Sequence, residues 1–208
     1  MMFGSKKQLA VFLSKLAGFE HPTAELEQYP TDSEIAAEIL WTAQLSGELT
    51  GRRVADLGCG TGILGIGALA LGASHVTFLE IDVRVFPTLM GNIAKLEDAT
   101  GEEFGNYEIL EGDVATFSTD ADLVVQNPPF GTRDKGADTE FLRVAMKTAP
   151  LVYSLHKTST EEHLRRIVTD AGRRVLSVTR YAFPLKQTMV QHTKKLERIE
   201  VSCLKVSR

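Results

Sequence analysis

The sequence predicts an α/β fold with a mostly parallel, seven-stranded sheet, helices on both faces and a C-terminal antiparallel hairpin. Three observations lead to this prediction. From about residue 51 to residue 171, short apolar runs of strand type alternate with segments of helical periodicity. The last third contains two strand-type runs with no helical pattern between them, as a hairpin would. A length of 208 residues, 43% of them hydrophobic, fits a single domain (1–208) with a sizeable core.

The elements follow in order along the chain. Residues 1–50 contain helical patterns at 5–17 and 33–45, and residues 51–208 form the predicted core of the fold. In that core we expect strands at 53–57, 75–81, 107–110, 123–126 and 151–155, helices at 62–71, 83–96, 138–147 and 160–171, and a hairpin of 174–183 with 198–206. No apolar run is long enough to span a membrane and the N-terminus has no cleavage site, so a cytoplasmic location is expected. Cys59 and Cys203 lack the close spacing of a metal or redox motif, and no metal is expected.

Charge is distributed unevenly along the chain. Residues 1–142 carry 9 Lys and Arg against 22 Asp and Glu, whereas residues 143–208 carry 14 against 5, within a net charge of −4. A basic C-terminal third favours contact of one face with a polyanion. Ordinary solvated surface charge is the alternative, because positive residues can be scattered in space.

The segment "VADLGCGTGILGIGA" (54–68) joins an apolar strand to a helix through a glycine-rich turn. Gly58, Gly60 and Gly62 allow a sharp turn and a close approach to a ligand, and the following helix directs free amides at it. A dinucleotide and S-adenosylmethionine both fit this pattern, since a G-x-G-x-x-G match is followed about 20 residues later by Glu80. Asp56 favours S-adenosylmethionine, whose amino group is positive, although a turn residue bonding nearby amides remains the alternative.

Two further acids follow successive predicted strands. Glu80 can accept the ribose hydroxyls of a nucleoside cofactor, and Asp113 can accept its adenine amino group. Asp82 lies close enough in sequence to compete with Glu80. Because parallel strands place their carboxyl ends at one edge, these acids predict a cofactor site there.

The run "LVVQNPPFGT" (123–132) ends the fourth predicted strand at the same edge. Pro128 and Pro129 have no amide hydrogen and a fixed φ, so the loop is a rigid acceptor platform. The Asn127 side-chain oxygen and the Pro128 carbonyl can hold a planar NH₂ group while Phe130 stacks on the attached ring. A rigid turn that merely ends a strand is the alternative.

Together, "DLGCGTG" and "NPPF" resemble the Rossmann-like class I amino-methyltransferases, which depend on S-adenosylmethionine. "LEQYPT" (26–31), "NPPFGT" (127–132) and "VYSLHK" (152–157) resemble more closely the family of small-subunit ribosomal RNA adenine N6-methyltransferases that contains human methyltransferase-like protein 5 and archaeal relatives. The resemblance implies methylation of the 6-amino group of one adenine. It also implies cofactor contacts with Gln28, Thr31, Gly58, Thr61, Ile63, Glu80, Ile81, Asp113, Val114 and Asn127, and base contacts with Asn127, Pro128, Pro129 and Phe130.

Other residues are assigned less directly. The segment "LEQYPTDSEIA" precedes the sheet and is expected to fold over the cofactor, although helix capping by Thr31 and an exposed Gln28 are the simpler reading. His156 and Lys157 follow the fifth predicted strand and are candidates for RNA phosphate contacts, as are Lys194 and Lys195 in the basic tail. A solvated loop is the alternative for His156 and Lys157.

The resemblance implies one possible partner besides ribosomal RNA. The human family member works with a small zinc-binding activator that adds a strand to the sheet, and the apolar run "HVTFLEI" (75–81) is expected near an exposed edge. Two other functions remain open. A glutamine methyltransferase acting on a translation factor would use the same acceptor platform, and a noncatalytic RNA-binding scaffold would keep only the basic tail.

Overall fold

A computed structural model describes residues 3–131, 136–186 and 196–208, except for the side chains at 185–186 and 196–197. Within those residues there are six α-helices and seven β-strands. The helices are α1 (Lys6–Leu13), α2 (Ser33–Leu45), α3 (Ile63–Ala70), α4 (Phe86–Thr100), α5 (Ala137–Thr148) and α6 (Glu161–Asp170). The strands are β1 (Arg53–Leu57), β2 (His75–Glu80), β3 (Tyr107–Glu111), β4 (Leu123–Gln126), β5 (Leu151–Lys157), β6 (Arg174–Lys186) and β7 (Leu196–Ser207).

All seven strands belong to one sheet, in the order β3-β2-β1-β4-β5-β7-β6. Neighbours from β3 to β5 pair in parallel, whereas β7 lies antiparallel between β5 and β6. The predicted fold class, with its C-terminal hairpin, is therefore confirmed. The strand order reverses direction between β1 and β4, which is where open parallel sheets bind ligands.

Helices cover both faces of the sheet and enclose two hydrophobic cores. Helices α1 to α4 pack on one face, and α5 and α6 pack on the other. Strand β4 shows the alternation that supplies both cores, since Leu123 and Val125 enter the first and Val124 the second. No helix in the described ranges has the length and apolar character needed to cross a membrane.

Several predicted boundaries differ from the observed ones, and three of these differences have identifiable reasons. The first helix stops at Leu13 rather than at residue 17, and the Ala17 backbone instead bonds to the buried Asn92 amide at 2.7 and 2.9 Å. The helix predicted from residue 83 begins with a 3₁₀ turn, and α4 starts at Phe86 with Pro87 in its first turn. Strand β5 continues to Lys157 because it pairs with β7 as far as Val201.

The expectation that residues 75–81 lie at an exposed edge is wrong. Strand β2 is paired on one side with β1 and on the other with β3, so its backbone cannot accept another strand. In the described part of the chain, β3 is the outer strand at this end of the sheet, and β6 is the outer strand at the other. Apolar character did not distinguish the two positions, because a strand buried on both faces is apolar wherever it pairs.

Candidate active site

A cavity of about 240 Å³ opens at the carboxyl ends of β1, β2 and β4. Its walls are the glycine-rich turn after β1, the segment before α2 and the first turn of α5. Every predicted cofactor residue except Gly62 lines it, namely Gln28, Thr31, Asp56, Gly58, Gly60, Thr61, Ile63, Glu80, Ile81, Asp113, Val114 and Asn127. Residues from three distant parts of the chain therefore meet in the predicted place.

The glycine turn depends on backbone conformations that other residues rarely adopt. Gly58, Gly60 and Gly62 have φ values of 66°, 54° and 90°. A Cβ built on Gly60 would lie 2.6 Å from the Phe19 ring, and one built on Gly58 would lie 2.9 Å from Phe141. Gly62 is the N-cap of α3, which explains its place behind the cavity wall. The absence of a Cβ at Gly58 and Gly60 therefore allows the rings of Phe141 and Phe19 to pack closely against the turn.

Asp56 combines the two roles that the sequence left open. Its side chain is 1% exposed, and Oδ2 accepts a hydrogen bond from the Gly65 amide at 2.8 Å. It also lines the cavity. Burial raises the pKa of Asp56 to about 7 despite the Gly65 bond, and the nearby charge of Glu80 adds to the increase. Asp56 can therefore change its charge near neutral pH.

Glu80 is held firmly by backbone amides. Oε2 accepts from the Gly60 amide at 2.8 Å, and Oε1 accepts from Ile81 and Asp82 at 2.9 and 3.0 Å. An ionised carboxylate has about four acceptor positions, so about one remains on Oε2. Glu80 can thus take one ribose hydroxyl, and a second would have to share a bond. Asp113 accepts from the Ala115 amide at 2.9 Å while lining the cavity.

The charge of the cavity distinguishes between the two cofactor classes. Within the described residues, the wall contains no Lys, Arg or His, and its acids are Glu25, Glu27, Asp56, Glu80, Asp113 and Glu140. A dinucleotide would place its negative pyrophosphate among these carboxylates. S-adenosylmethionine carries a positive sulfonium and a positive amino group, so this wall favours it over NAD.

The segment before α2 is fastened to the rest of the site by Gln28. Its Oε1 accepts from the Thr23 amide at 2.9 Å, and its Nε2 donates to Asp82 Oδ2 at 2.8 Å. Asp82 also binds Arg84 through both carboxylate oxygens, which together with Gln28 lowers its pKa to about 2. Gln28 therefore shapes the wall. Asp82 is engaged with these partners and does not line the cavity, so it does not compete with Glu80.

Asn127 lines the cavity, and one end of its side-chain amide is already paired. Its Nδ2 donates to Thr31 Oγ1 at 3.0 Å, which fixes the plane of the amide. In the described part of the chain, its Oδ1 is buried and has no hydrogen-bond partner. A buried acceptor without a partner is costly, and such groups occur at sites that bind a donor. Asn127 and Pro129 line the cavity, whereas Pro128 does not.

Phe130 lies behind the cavity wall. Its side chain is 7% exposed and meets Phe183 edge to face, with centroids 6.0 Å apart. Its amide donates to Glu27 Oε2 at 2.9 Å, and Lys157 Nζ lies 6.0 Å from the ring centroid. Glu27 has a φ of 48°, which is uncommon for a residue with a side chain. Stacking of Phe130 on a base remains a prediction that requires this ring to become accessible.

The four candidate RNA contacts have different outcomes. His156 is 0% exposed inside β5, so its assignment as a phosphate contact is wrong. Burial lowers the pKa of His156 to about 3, and the ring is neutral. Lys157 ends β5 at the edge of the sheet that carries the site and remains a candidate. Lys194 and Lys195 lie outside the described residues.

Sequence reasoning missed several cavity residues. Phe19 and Phe141 contact the glycine turn from α-helical and loop segments that carry no recognisable motif. Glu27 belongs to "LEQYPT", a motif in which only Gln28 and Thr31 were predicted as cofactor contacts. The position of α5 after β4 was a signal for Phe141, because a helix that follows a parallel strand begins at the carboxyl edge of the sheet, where the cavity lies.

Comparisons with known proteins agree with this geometry. A family model described as "Conserved hypothetical protein 95" matches residues 30–173. The chain is 34% identical to the rRNA N(6)-adenosine-methyltransferase METTL5 of Danio rerio, covering 96% of this chain and 97% of that protein. It is 35% identical to Mettl5 of Drosophila melanogaster, covering 94% and 92%. A crystal structure from Pyrococcus horikoshii, of a protein described as a candidate RNA methyltransferase, has a TM-score of 0.90 and 37% identity and covers 100% and 99%.

Proposed function

We propose, since this chain belongs to the METTL5 family of rRNA N(6)-adenosine-methyltransferases, that it methylates the 6-amino group of an adenine in ribosomal RNA. The methyl donor in this proposal is S-adenosylmethionine. Small-subunit ribosomal RNA is the proposed substrate, because the "NPPFGT" and "VYSLHK" motifs resemble those of the small-subunit ribosomal RNA adenine N6-methyltransferases. The cytoplasm is the proposed location.

The cavity residues fit this cofactor. Asp56 would face its amino group, Glu80 a ribose hydroxyl and Asp113 the adenine amino group, and each already lines the cavity. The glycine turn would leave room for the nucleoside, and Ile81 and Val114 would contact the apolar faces of its base. When bound, S-adenosylmethionine supplies a methyl group that is already activated as an electrophile.

Asn127 Oδ1, which is buried and has no hydrogen-bond partner among the described residues, is the observation that carries the proposal. It would accept one hydrogen of the target amine, and the Pro128 carbonyl would accept the other. The lone pair of an aromatic amine is delocalised into its ring, and bonds from both hydrogens favour the pyramidal nitrogen of the transition state. Holding the nitrogen in line at about 3 Å then supplies much of the rate enhancement, because the electrophile needs no further activation.

The target base has to leave its stack to reach this platform. An adenine in an unpaired or weakly paired segment is favoured, since extrusion from a stable duplex costs a few kcal/mol more. Lys157, at the same edge, would bind a neighbouring phosphate. The basic C-terminal third of the chain would contribute further phosphate contacts.

The experiment is transfer of a labelled methyl group from S-adenosylmethionine to purified small-subunit RNA, large-subunit RNA and a release factor. Nucleoside analysis of the RNA should recover the label as N6-methyladenosine from the small subunit. Label in glutamine of the release factor would instead identify a protein methyltransferase. Binding of RNA with no transfer to any substrate would identify a noncatalytic scaffold.

A protein activator is a separate part of the proposal. The outer edge of β3 would accept its strand, since β3 pairs only with β2 in the described residues. Exposed Val83 and Met90 on the connection from β2 to β3 would add apolar contact to that interface. A Val83→Asp, Met90→Asp double variant should lose any copurifying activator and keep its cofactor affinity.

A further inference from the structure

A chain of buried polar side chains lies behind the acceptor loop, on β4 and β5. Gln126 Nε2 donates to Ser154 Oγ at 2.8 Å, and Ser154 Oγ lies 2.6 Å from His156 Nε2. His156 Nδ1 faces Asp138 Oδ2 at 3.9 Å. Gln126, Ser154 and His156 are 1%, 0% and 0% exposed. Polar groups are costly to bury at this depth, so their presence among apolar strands calls for a function.

One order of donors and acceptors places a hydrogen between His156 Nδ1 and the Asp138 carboxylate. Ser154 Oγ accepts the Gln126 hydrogen, so its own hydroxyl hydrogen is available to His156 Nε2. A neutral imidazole that accepts at Nε2 carries its hydrogen on Nδ1, which then points at the Asp138 carboxylate. These two hydrogen bonds therefore join the end of β4 to β5, and the imidazole faces the first turn of α5 at 3.9 Å without a hydrogen bond to it.

The buried polar side chains lie at both ends of the segment that connects β4 to α5. Gln126 immediately precedes Asn127, and Asp138 lies in the first turn of α5. Gln126 is hydrogen-bonded to Ser154, and Asp138 lies 3.9 Å from His156 without a hydrogen bond to it. Within the described residues, Gln126 Oε1 and His156 Nδ1 are buried without hydrogen-bond partners. Few hydrogen bonds therefore hold these polar side chains in place, and the loss of any one of them changes their arrangement.

A hydrolytic Ser-His-Asp site does not explain these residues. The side chains of Ser154 and His156 are fully buried, so no substrate carbonyl can reach the hydroxyl. The Ser154 oxygen is also occupied by Gln126, and Asp138 is beyond hydrogen-bond distance of the ring. Positioning of a neighbouring element remains as the function.

We propose that Ser154 and His156 are positioning residues that orient the Asn127 acceptor by holding Gln126. The inference rests on the proposed methyltransferase function. Asn127 follows Gln126 directly, so a rotation of the Gln126 backbone would displace Asn127 Oδ1 from the target amine. A displacement of about 1 Å can lower a rate by about 100-fold without changing what binds.

The test compares Ser154→Ala with Ser202→Ala. Ser202 is also 0% exposed, pairs with His156 across β5 and β7, and donates to Glu161 rather than to the Gln126 chain. Ser154→Ala should lower kcat on small-subunit RNA by about 10- to 100-fold while KM for RNA and the Kd of S-adenosylmethionine stay within about twofold. Ser202→Ala should lower the melting temperature similarly and keep kcat.

A second pair of variants tests the same bond from its other end. His156→Leu removes the acceptor for the Ser154 hydroxyl, whereas His156→Gln retains one at a similar distance from the backbone. His156→Leu should lose kcat as Ser154→Ala does, and His156→Gln should recover most of it. This pair still gives a result if Ser154→Ala does not fold.

Equal kcat losses in Ser154→Ala and Ser202→Ala, or in the two His156 variants, would overturn the positioning role. Unchanged kcat in Ser154→Ala would do the same. A wild-type protein that methylates no adenine of ribosomal RNA would instead overturn the proposed function, so the two failures are distinguishable.

Discussion

Replacing Asn127 separates chemistry from binding. The Asn127→Ala variant loses the buried Oδ1 acceptor and also the 3.0 Å bond from Nδ2 to Thr31. Removing one group that stabilises a transition state costs about 2.7 to 4 kcal/mol, which corresponds to a fall in kcat of about 100- to 1000-fold. Cofactor affinity should stay close to normal, because Asp56 and Glu80 remain in place.

Thr31→Val is the matched comparison. It removes the hydroxyl that accepts from the Asn127 amide and nearly preserves side-chain volume, and saturating cofactor offsets the loss of any contact between Thr31 and the cofactor. A neutral hydrogen bond contributes about 0.5 to 1.5 kcal/mol, so kcat should fall by no more than about 10-fold. The two variants therefore differ by at least tenfold if Oδ1 acts on the amine.

The assay is single-turnover transfer of labelled methyl to small-subunit RNA at saturating cofactor, with the Kd of S-adenosylmethionine measured by calorimetry. Melting temperatures of both variants establish that they are folded. If Asn127→Ala transfers methyl at the rate of Thr31→Val, or at the wild-type rate, Asn127 Oδ1 does not hold the amine and the acceptor mechanism is wrong.

Three further predictions concern the cofactor, the RNA and the aromatic ring. Only ionised Asp56 attracts a cationic amino group, and the pKa of Asp56 is about 7. The affinity for S-adenosylmethionine, measured by calorimetry, should therefore rise several-fold from pH 6 to pH 7.5. The Asp56→Asn variant should bind the cofactor weakly and without this pH dependence. Lys157→Glu and the Lys194→Glu, Lys195→Glu double variant should weaken RNA binding and flatten its salt dependence in filter-binding titrations, and salt-independent binding by the wild type would contradict an electrostatic contact. Phe130→Ala should lower thermal stability, because the ring packs on Phe183, as well as raise KM for RNA; a higher KM with unchanged melting temperature would show that the ring is not held in the core.

The same Asp56 carboxyl links stability to pH. Its folded pKa of about 7 lies above the ordinary value of 3.8, so the folded state retains a proton that the unfolded state releases. The contribution of Asp56 to stability therefore declines as pH rises from about 4 to about 7 and is constant above that range. This dependence is opposite in sign to the rise in cofactor affinity over the upper part of the same range.

The strands and the cofactor wall were predictable because each depends on local patterns. The alternation of apolar runs located β1 and β4 to the residue, and the acids that follow parallel strands had to meet at one edge. His156 shows what such patterns omit. A histidine beside a lysine resembles a solvated loop, and only the pairing with β7 extends β5 to His156, whose ring faces Asp138 of α5.

The pairing partners of strands and the contacts between distant segments could not be predicted from the sequence either. The position of β2 inside the sheet depends on β3 arriving at its outer side, which no property of residues 75–81 records. Gln28 was expected to bond a ligand, but its partner Asp82 is 54 residues away. Side-chain partners at that separation are set by the completed fold.

The bonds that close the cavity have a consequence for synthesis of the chain on the ribosome. Thr31 and Glu27 emerge early, but their partners Asn127 and Phe130 follow 96 and 103 residues later. At about 5 to 20 residues per second, that interval is about 5 to 20 s. Nascent chains that end before β4 therefore lack the part of the cavity wall that Asn127, Pro129 and α5 form, and the cofactor can stabilise the complete site only after most of the protein has been made.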